Sequence, residues 1–120
     1  MHLTESLMAA FEATGERHYL DKAERIADLI INRRAREEAF RVPEHFNENW
    51  AVDRNYYHPN EMFRPAGTTP GHWLEWARLL LQLWVLGGKS APEYKGVGEF
   101  FAYLSKPEVQ AASHQRTGYL

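Results

Sequence analysis

Residues 71–86 are the most apolar stretch of the sequence and place the strongest constraint on its fold. Apolar side chains fall on nearly every side of a helix drawn through this stretch: Trp73, Leu74, Trp76, Leu79, Leu80, Leu81, Leu83 and Trp84. Such a helix is normally buried among other helices. It is too short to cross a bilayer and contains Glu75, Arg78 and Gln82. Because 120 residues offer few partners to cover it, we expect a larger parent protein, or oligomerisation through this helix.

The composition excludes several classes of function. The net charge is only −2, and 25% of the residues are charged, so the clustered cations of a nucleic-acid-binding face are missing. The absence of cysteine excludes a disulfide framework, a thiol nucleophile and a zinc–thiolate site. The sequence opens without a basic region followed by an apolar run, so no secretory signal is visible. We expect a cytoplasmic protein that binds neither nucleic acid nor membrane.

Helical periodicity extends over most of the chain. A first helix ends at Gly15, with Leu3, Leu7, Met8 and Phe11 on one face. A second helix covers about residues 19–34, and its inner face consists of Leu20, Ala23, Ile26, Ala27, Ile30 and Ile31. The short link between them predicts an antiparallel helical hairpin. After the apolar helix, residues 93–104 predict a fourth helix, and residues 107–114 the start of a fifth.

The helical period disappears between residues 40 and 71. This stretch is rich in aromatic residues and is interrupted by Pro43, Pro59, Pro65, Gly67 and Pro70. Residues 40–42 and 50–52 predict a short hairpin around residues 47–49. Because such a long irregular stretch in a compact domain is usually functional, we expect a loop that covers a cleft.

His72 is the first candidate for chemistry, because it falls in the first turn of the apolar helix. The positive end of a helix dipole disfavours the imidazolium, so we expect a neutral ring that acts as a base or an electrophile. Glu75 shares its face and can orient the ring or polarise a substrate hydroxyl. The alternative is a structural pair: a first-turn histidine beside a glutamate that the dipole favours.

His2 and Glu5 repeat the His-x-x-Glu spacing at the start of the first helix, so the two pairs can line one cavity. Imidazole and carboxylate also suit divalent metals, but metal-binding bundles use further inward-facing glutamates. The second helix offers only Glu24 and Asp28, at polar positions, so we expect no metal. Arg64 is a candidate for holding a hydroxyl, phosphate or sulfonate, or for a loop-anchoring ion pair.

Two stretches resemble the N-acylglucosamine 2-epimerase family. The first is Met-His-Leu-Thr-Glu-Ser-Leu at residues 1–7, followed by Phe-Glu-Ala-Thr-Gly at residues 11–15. The second is residues 64–80, which contain Pro-Gly-His-Trp-Leu-Glu-Trp. Within the family, the sequence is most similar to the aldose–ketose isomerases that act on mannose or sulfoquinovose. The resemblance covers about residues 1–86.

This resemblance implies an all-α fold: a fragment of an (α/α)6 barrel with a long cleft loop and one or two additional C-terminal helices. It implies that His72 and Glu75 are catalytic and that His2 and Arg64 bind the sugar. The implied chemistry is proton transfer at C2 of an open-chain aldose through an enediol(ate), without a cofactor. The family uses a second histidine from the C-terminal half of the barrel, which has no counterpart here. We therefore expect the isolated chain to be nearly inactive.

The tail resembles the periplasmic glycerol-3-phosphate-binding proteins of ABC transporters, over residues 83–97, 106–110 and 117–120. That resemblance implies that Tyr119 lies at a ligand site. The basic residues also change from mostly arginine to mostly lysine at Gly87-Gly88. We therefore divide the chain into an isomerase-like segment, residues 1–86, and a solute-binding-protein-like helical tail, residues 87–120. The alternatives to an isomerase are a non-catalytic module that binds a carbohydrate or glycerol-3-phosphate, and a metal-binding helical protein.

Overall fold

Helices make up the regular structure of the chain in the computed structural model, which describes residues 1–59, 66–88 and 97–109. The helices are α1 (His2–Thr14), α2 (Arg17–Ala27), a π-helix (Asp28–Ala35) that continues α2, α3 (Pro70–Leu86) and α4 (Val97–Leu104). The described residues contain two isolated β-bridges but no β-strand. The prediction of an all-α chain is confirmed.

The first two helices form the predicted hairpin. Gly15 ends α1 in the left-handed region, at φ 72°, and its N–H donates to the carbonyl of Phe11 at 2.7 Å. Glycine suits this position because it has no Cβ to clash in that conformation. Only two residues separate α1 from α2, so the chain reverses and the helices pack side by side.

The buried face of α1 differs from the predicted one. Its fully buried residues are Thr4 and Met8, whereas Leu3 is 62% exposed. Leu7 and Phe11 are partly buried against the core. The helix contacts both α2 and α3, and these contacts select the stripe through Thr4 and Met8. The hydrophobic pattern of α1 therefore predicted Met8 correctly and Leu7 and Phe11 in part, but it included Leu3 and missed Thr4.

The second helix buries the predicted face, and the π-helix that continues it has a wider turn. Its buried apolar residues are Leu20, Ala23, Ala27, Ile30 and Ile31, and Ile26 packs partly against them. From Asp28 the backbone is π-helical, with i→i+5 hydrogen bonds that enlarge the turn. The sequence predicted an ordinary helix here, because a pattern of apolar residues over eight positions does not distinguish the two windings.

One side of α3 is buried in the core and another remains open. The buried residues are Trp73, Trp76, Ala77, Leu79, Leu80 and Leu83. The exposed apolar residues, between 40% and 57% accessible, are Leu74, Leu81, Trp84 and Val85. The described chain therefore covers only part of this helix. None of the helices in the described residues combines the length and apolarity needed to cross a membrane.

The described residues between the π-helix and α3 are mostly irregular, as predicted, but their pairing differs from the predicted hairpin. Phe46 forms a β-bridge with Val52, and Pro43 forms one with Thr68. A turn lies at the predicted place, because the side-chain oxygen of Asn47 accepts the backbone N–H groups of residues 49 and 51. The predicted partner strand at 40–42 is not formed, since Phe40 adopts a left-handed φ of 64° directly after the helical segment.

The described part of the tail packs on the same core. Leu104 and Val109 are buried, and the ring of Tyr103 lies 5.7 Å from that of Trp73. The fourth helix was predicted over residues 93–104, and the structure shows it over Val97–Leu104; residues 93–96 lie outside the described residues. Residues 107–109 are helical, and the rest of the predicted fifth helix also lies outside them.

Candidate functional site

The first turn of α3 presents His72 to a cavity. Pro70 occupies the first turn of the helix, where its fixed φ and missing N–H are favourable. Thr69 precedes it in extended conformation, and its carbonyl accepts the N–H of His72 at 3.0 Å. The side chain of His72 is 40% exposed, so the ring is neither buried in the core nor free in solvent.

The carboxylate of Glu44 lies against the ring of His72. Nδ1 of His72 is 2.8 Å from Oε1 and 2.9 Å from Oε2 of Glu44. The side chain of Glu44 is only 13% exposed, so the pair is shielded on the carboxylate side. The sequence suggested that Glu75 orients the ring, but the carboxylate at Nδ1 comes from Glu44.

Backbone contacts fix Glu44 beside the start of α3. The N–H of Glu44 donates to the carbonyl of Gly67 at 2.9 Å, next to the β-bridge between Pro43 and Thr68. The chain entering the long loop therefore runs alongside the chain leaving it. This pairing brings Glu44 to His72 across 28 positions of sequence.

His72 and Glu44 share a cavity of about 230 Å³ with His2. The lining residues are Met1, His2, Ile30, Val42, Pro43, Glu44, Phe46, His72 and Trp76. The cavity has the character of a small-molecule site, in which a few polar groups converge within apolar walls. Its volume lies below the range of about 300–1,000 Å³ typical of complete ligand pockets. The structure thus brings together the histidines of the two His-x-x-Glu pairs.

A larger groove of about 790 Å³ lies along α2 and the π-helix. Charged residues of α2 and the π-helix line part of it, and its apolar lining consists of Leu3, Leu7, Ile26, Leu29 and Trp50. Neither His72 nor Glu44 lines it. A general base must lie within hydrogen-bond reach of the proton that it removes, and of these two cavities His72 lines the smaller one.

The glutamates of the two His-x-x-Glu pairs, Glu5 and Glu75, both lie near the guanidinium of Arg78. The Nη2 atom of Arg78 lies 2.8 Å from Glu5 and 3.9 Å from Glu75. Glu5 also lies 3.9 Å from Nδ1 of His2. The hydrogen bond from Arg78 is the main cause that lowers the pKa of Glu5 below its usual value. Glu75 is therefore part of a charged cluster between α1 and α3.

This cluster includes atoms that could hold a metal ion. Ligand atoms of His2, Glu5 and Glu75 all lie within 4.8 Å of one another. Imidazole with two carboxylates is a chemically reasonable set for a divalent ion. The guanidinium of Arg78, however, already neutralises Glu5, and a cation placed there would be repelled by it. The arrangement therefore favours an ion-pair network over a metal centre.

The α-amino group of Met1, at the start of α1, interacts electrostatically with the carboxylates of Glu75 and Glu44. Burial lowers the pKa of the α-amino group of Met1, while Glu75 and Glu44 act in the opposite direction. Of the other predicted site residues, Arg64 and Tyr119 lie outside the described residues.

Comparison with known proteins places these residues in context. The profile of the family N-acylglucosamine 2-epimerase (GlcNAc 2-epimerase) matches residues 1–103. The D-mannose isomerase of Thermobifida fusca is 46% identical over 88 residues, which cover 69% of this chain and 21% of that protein. The D-mannose isomerase of Pseudomonas cannabina pv. alisalensis is 41% identical over 99 residues, covering 78% and 24%. The chain spans less than a quarter of the length of these relatives.

A second similarity falls on the tail. The sn-glycerol-3-phosphate-binding periplasmic protein UgpB of Pectobacterium atrosepticum is 63% identical over 38 residues, which cover 32% of this chain and 9% of that protein. The resemblances to both groups of proteins that the sequence suggested are therefore confirmed. The match to the first family extends to residue 103, past the division at residue 86 that the sequence suggested.

Proposed function

This chain belongs to the N-acylglucosamine 2-epimerase family, and from that premise we propose that it forms part of the active site of a sugar isomerase or epimerase. The all-α content and the helical hairpin fit the α/α-barrel fold that the resemblance implied. D-mannose is the first substrate to test, because the relatives with 41% and 46% identity are D-mannose isomerases.

In the proposed reaction, His72 exchanges a proton with the carbon beside the sugar carbonyl. The imidazole takes the proton from C2, the C–H electron pair forms the C1–C2 double bond, and the carbonyl oxygen becomes the enediolate oxygen. Returning the proton to C1, while the hydroxyl proton on O2 passes to O1 and the C2–O2 carbonyl forms, gives the ketose. Returning the proton to the other face of C2, with the C1–O1 carbonyl re-forming, gives the epimer. Glu75, His2 and Arg64 are proposed to contact the sugar hydroxyls. General acid–base catalysis of this kind contributes about 10²–10⁴-fold in rate.

The observation that best supports this function is the position of the His72–Glu44 pair. A histidine held by a carboxylate, half exposed and facing a cavity that a second histidine lines, has the arrangement expected of a general base. The family relationship then selects proton transfer on a sugar from the reactions that such a base can perform.

We propose that the isolated chain has little activity. The second histidine that the resemblance implies has no counterpart in this sequence, and the cavity of about 230 Å³ is small for a complete sugar site. Mannose–fructose interconversion by the purified chain, lost in His72→Ala, would contradict this part of the proposal. The cytoplasmic location stays a prediction.

A segment exchange tests the chemistry directly. Residues 1–86 replace the matching segment of the D-mannose isomerase of Thermobifida fusca, which is 46% identical in the region of similarity. We expect the hybrid to interconvert mannose and fructose, and His72→Gln to lower its kcat by about 10²-fold or more. A control hybrid carries Glu12→Gln, on an exposed position of α1 away from the cavity. A helical, folded hybrid without activity would count against the proposal.

A different role is proposed for the tail. The similarity to UgpB favours a solute-binding-protein-like segment over residues 87–120, joined to the isomerase-like segment. Calorimetry with glycerol-3-phosphate, mannose and sulfoquinovose compares the two classes of ligand on one protein. Heat with glycerol-3-phosphate that disappears in Tyr119→Ala would favour a binding module. If none of the three ligands gives a heat of binding, the alternative of a non-catalytic binding module is excluded.

A further inference from the structure

We propose that Glu44 is a positioning residue that holds His72 in the Nδ1–H tautomer and leaves Nε2 to exchange the proton with the sugar. The catalytic meaning of this inference rests on the proposed function. The tautomer does not, because it can be measured on the chain without turnover.

The donor and acceptor inventory of the two groups leads to this tautomer. A neutral imidazole has one N–H donor and one lone-pair acceptor, whereas an ionised carboxylate only accepts. Nδ1 of His72 lies within hydrogen-bond distance of both oxygens of Glu44, at 2.8 Å and 2.9 Å. Nδ1 must therefore carry the proton, and Nε2 keeps the lone pair. The reacting nitrogen of the ring is consequently Nε2.

Glu44 is better suited to this role than Glu75. Its backbone is tied to Gly67 and its side chain is 13% exposed, so its carboxylate has one well-defined position. The side chain of Glu75 is 32% exposed and lies 3.9 Å from Arg78, within the neighbouring charged cluster. A shielded carboxylate whose backbone is held in place, such as that of Glu44, has fewer rotamers to lose when it pairs with an imidazole. It therefore orients the ring at a smaller cost in entropy than a more exposed carboxylate such as that of Glu75.

The same contact balances the charge that forms during the reaction. The N-terminus of α3 carries a partial positive charge that opposes a cationic ring at His72. When Nε2 takes the proton from the sugar, the ring becomes an imidazolium, and the Glu44 carboxylate stabilises it. The proton on Nδ1 stays where it is, as in the histidine–aspartate pair of serine hydrolases. The carboxylate of Glu44 thus offsets the unfavourable effect of the α3 N-terminus on the imidazolium of His72.

Nitrogen NMR of the histidine side chains tests the tautomer. The full chain is labelled with ¹⁵N on histidine, His72 is assigned by its absence in His72→Gln, and spectra are recorded at a pH where the ring is neutral. We expect Nδ1 to show the shift of a protonated nitrogen and Nε2 that of an unprotonated one. In Glu44→Met, which keeps the volume but removes the acceptor, we expect the populations to move toward Nε2–H. Glu44→Gln keeps an acceptor oxygen, so the nitrogen shifts of His72 in this variant should stay close to those of the wild type.

Glu75→Met is the matched control, because it removes the carboxylate three positions along the helix. We expect it to leave the His72 shifts unchanged. Nε2–H as the main form of His72 in the unmodified chain would overturn the inference, whether or not the Glu44 variants fold. A tautomer change in Glu75→Met but not in Glu44→Met would overturn it as well.

A second readout separates this inference from the proposed function. In the mannose isomerase hybrid, we expect Glu44→Met to lower kcat by about 10²-fold with little change in KM, because the base is displaced rather than the sugar site. A protonated Nδ1 in an inactive hybrid would uphold the tautomer and contradict the isomerase. Full activity of the hybrid that carries Glu44→Met would contradict the positioning role of Glu44 but not the proposed isomerase function.

Discussion

The guanidinium of Arg78 lies 2.8 Å from the carboxylate of Glu5 and so joins α3 to α1 across 73 positions of sequence. Both side chains are about half exposed. Arg78 also donates to Gln82 on its own helix, at 3.1 Å, which orients the guanidinium along α3. The pair connects the two helices that carry the His-x-x-Glu repeats, and it accounts for the lowered pKa of Glu5.

Arg78→Gln should therefore raise the pKa of Glu5 toward its usual value of 4.5. Because the folded-state pKa of Glu5 is depressed, the pair stabilises the fold above the unfolded-state pKa. That stabilisation is lost as the pH falls through the folded-state value. The difference in free energy of unfolding between the wild type and the variant should thus be present at pH 6–7 and vanish in strong acid. Carbon NMR of the glutamate carboxyl groups measures the titration.

Arg17→Gln is the control for this titration, since Arg17 pairs with Asp21 and Glu24 within α2. It should leave the Glu5 titration unchanged. A Glu5 titration that is the same with and without Arg78 would show that the contact does not persist in solution.

Leu80→Ala should destabilise the fold by about 2–5 kcal/mol, because it removes buried methyl groups and leaves a cavity. Leu80 is buried against the core on α3. Leu74→Ala, on the exposed side of the same helix, should change the free energy of unfolding by less than about 0.5 kcal/mol. Urea unfolding followed by circular dichroism compares the two. Equal costs would mean that both sides of α3 are covered in solution.

The open side of α3 should promote self-association of the purified chain. Leu81 and Val85 lie four positions apart on this exposed face and border a small groove next to Met8. Exposed apolar patches of this kind mark interaction surfaces or aggregation sites. We expect the double variant Leu81→Gln/Val85→Gln to sediment as a smaller species than the wild type. Leu3→Gln, also exposed but on α1, is the control, and a monomeric wild type would contradict this prediction.

The charged cluster of His2, Glu5 and Glu75 should not retain a divalent metal. Because Arg78 already neutralises Glu5, we expect elemental analysis of the purified chain to give under about 0.1 metal per chain. Nearly one metal per chain, lost in Glu75→Gln, would instead support the metal-binding alternative. Arg78→Gln removes the competing cation, so any weak affinity should increase in that variant.

The sequence predicted the features that depend on local pattern. The buried face of α2 follows from the 3.6-residue period, and the first-turn position of His72 follows from Pro70. The choice of Thr4 over Leu3 on the buried face of α1 did not follow, because the packing of α1 against α2 and α3 decides it. Glu44 did not follow either. Its contact joins an irregular segment to a helix 28 positions away, and local sequence pattern does not encode a contact of that kind.

The β-bridge between Pro43 and Thr68 has a consequence for the evolution of this chain. It joins the chain at Pro43 to the chain at Thr68, so both ends of the segment between them are already fastened. Doubling the length of such a loop costs only about 0.6 kcal/mol in closure entropy. Insertions and deletions can therefore accumulate there while Glu44 and His72 keep their separation. Variation in the length of this segment is thereby separated from the contact between His72 and Glu44.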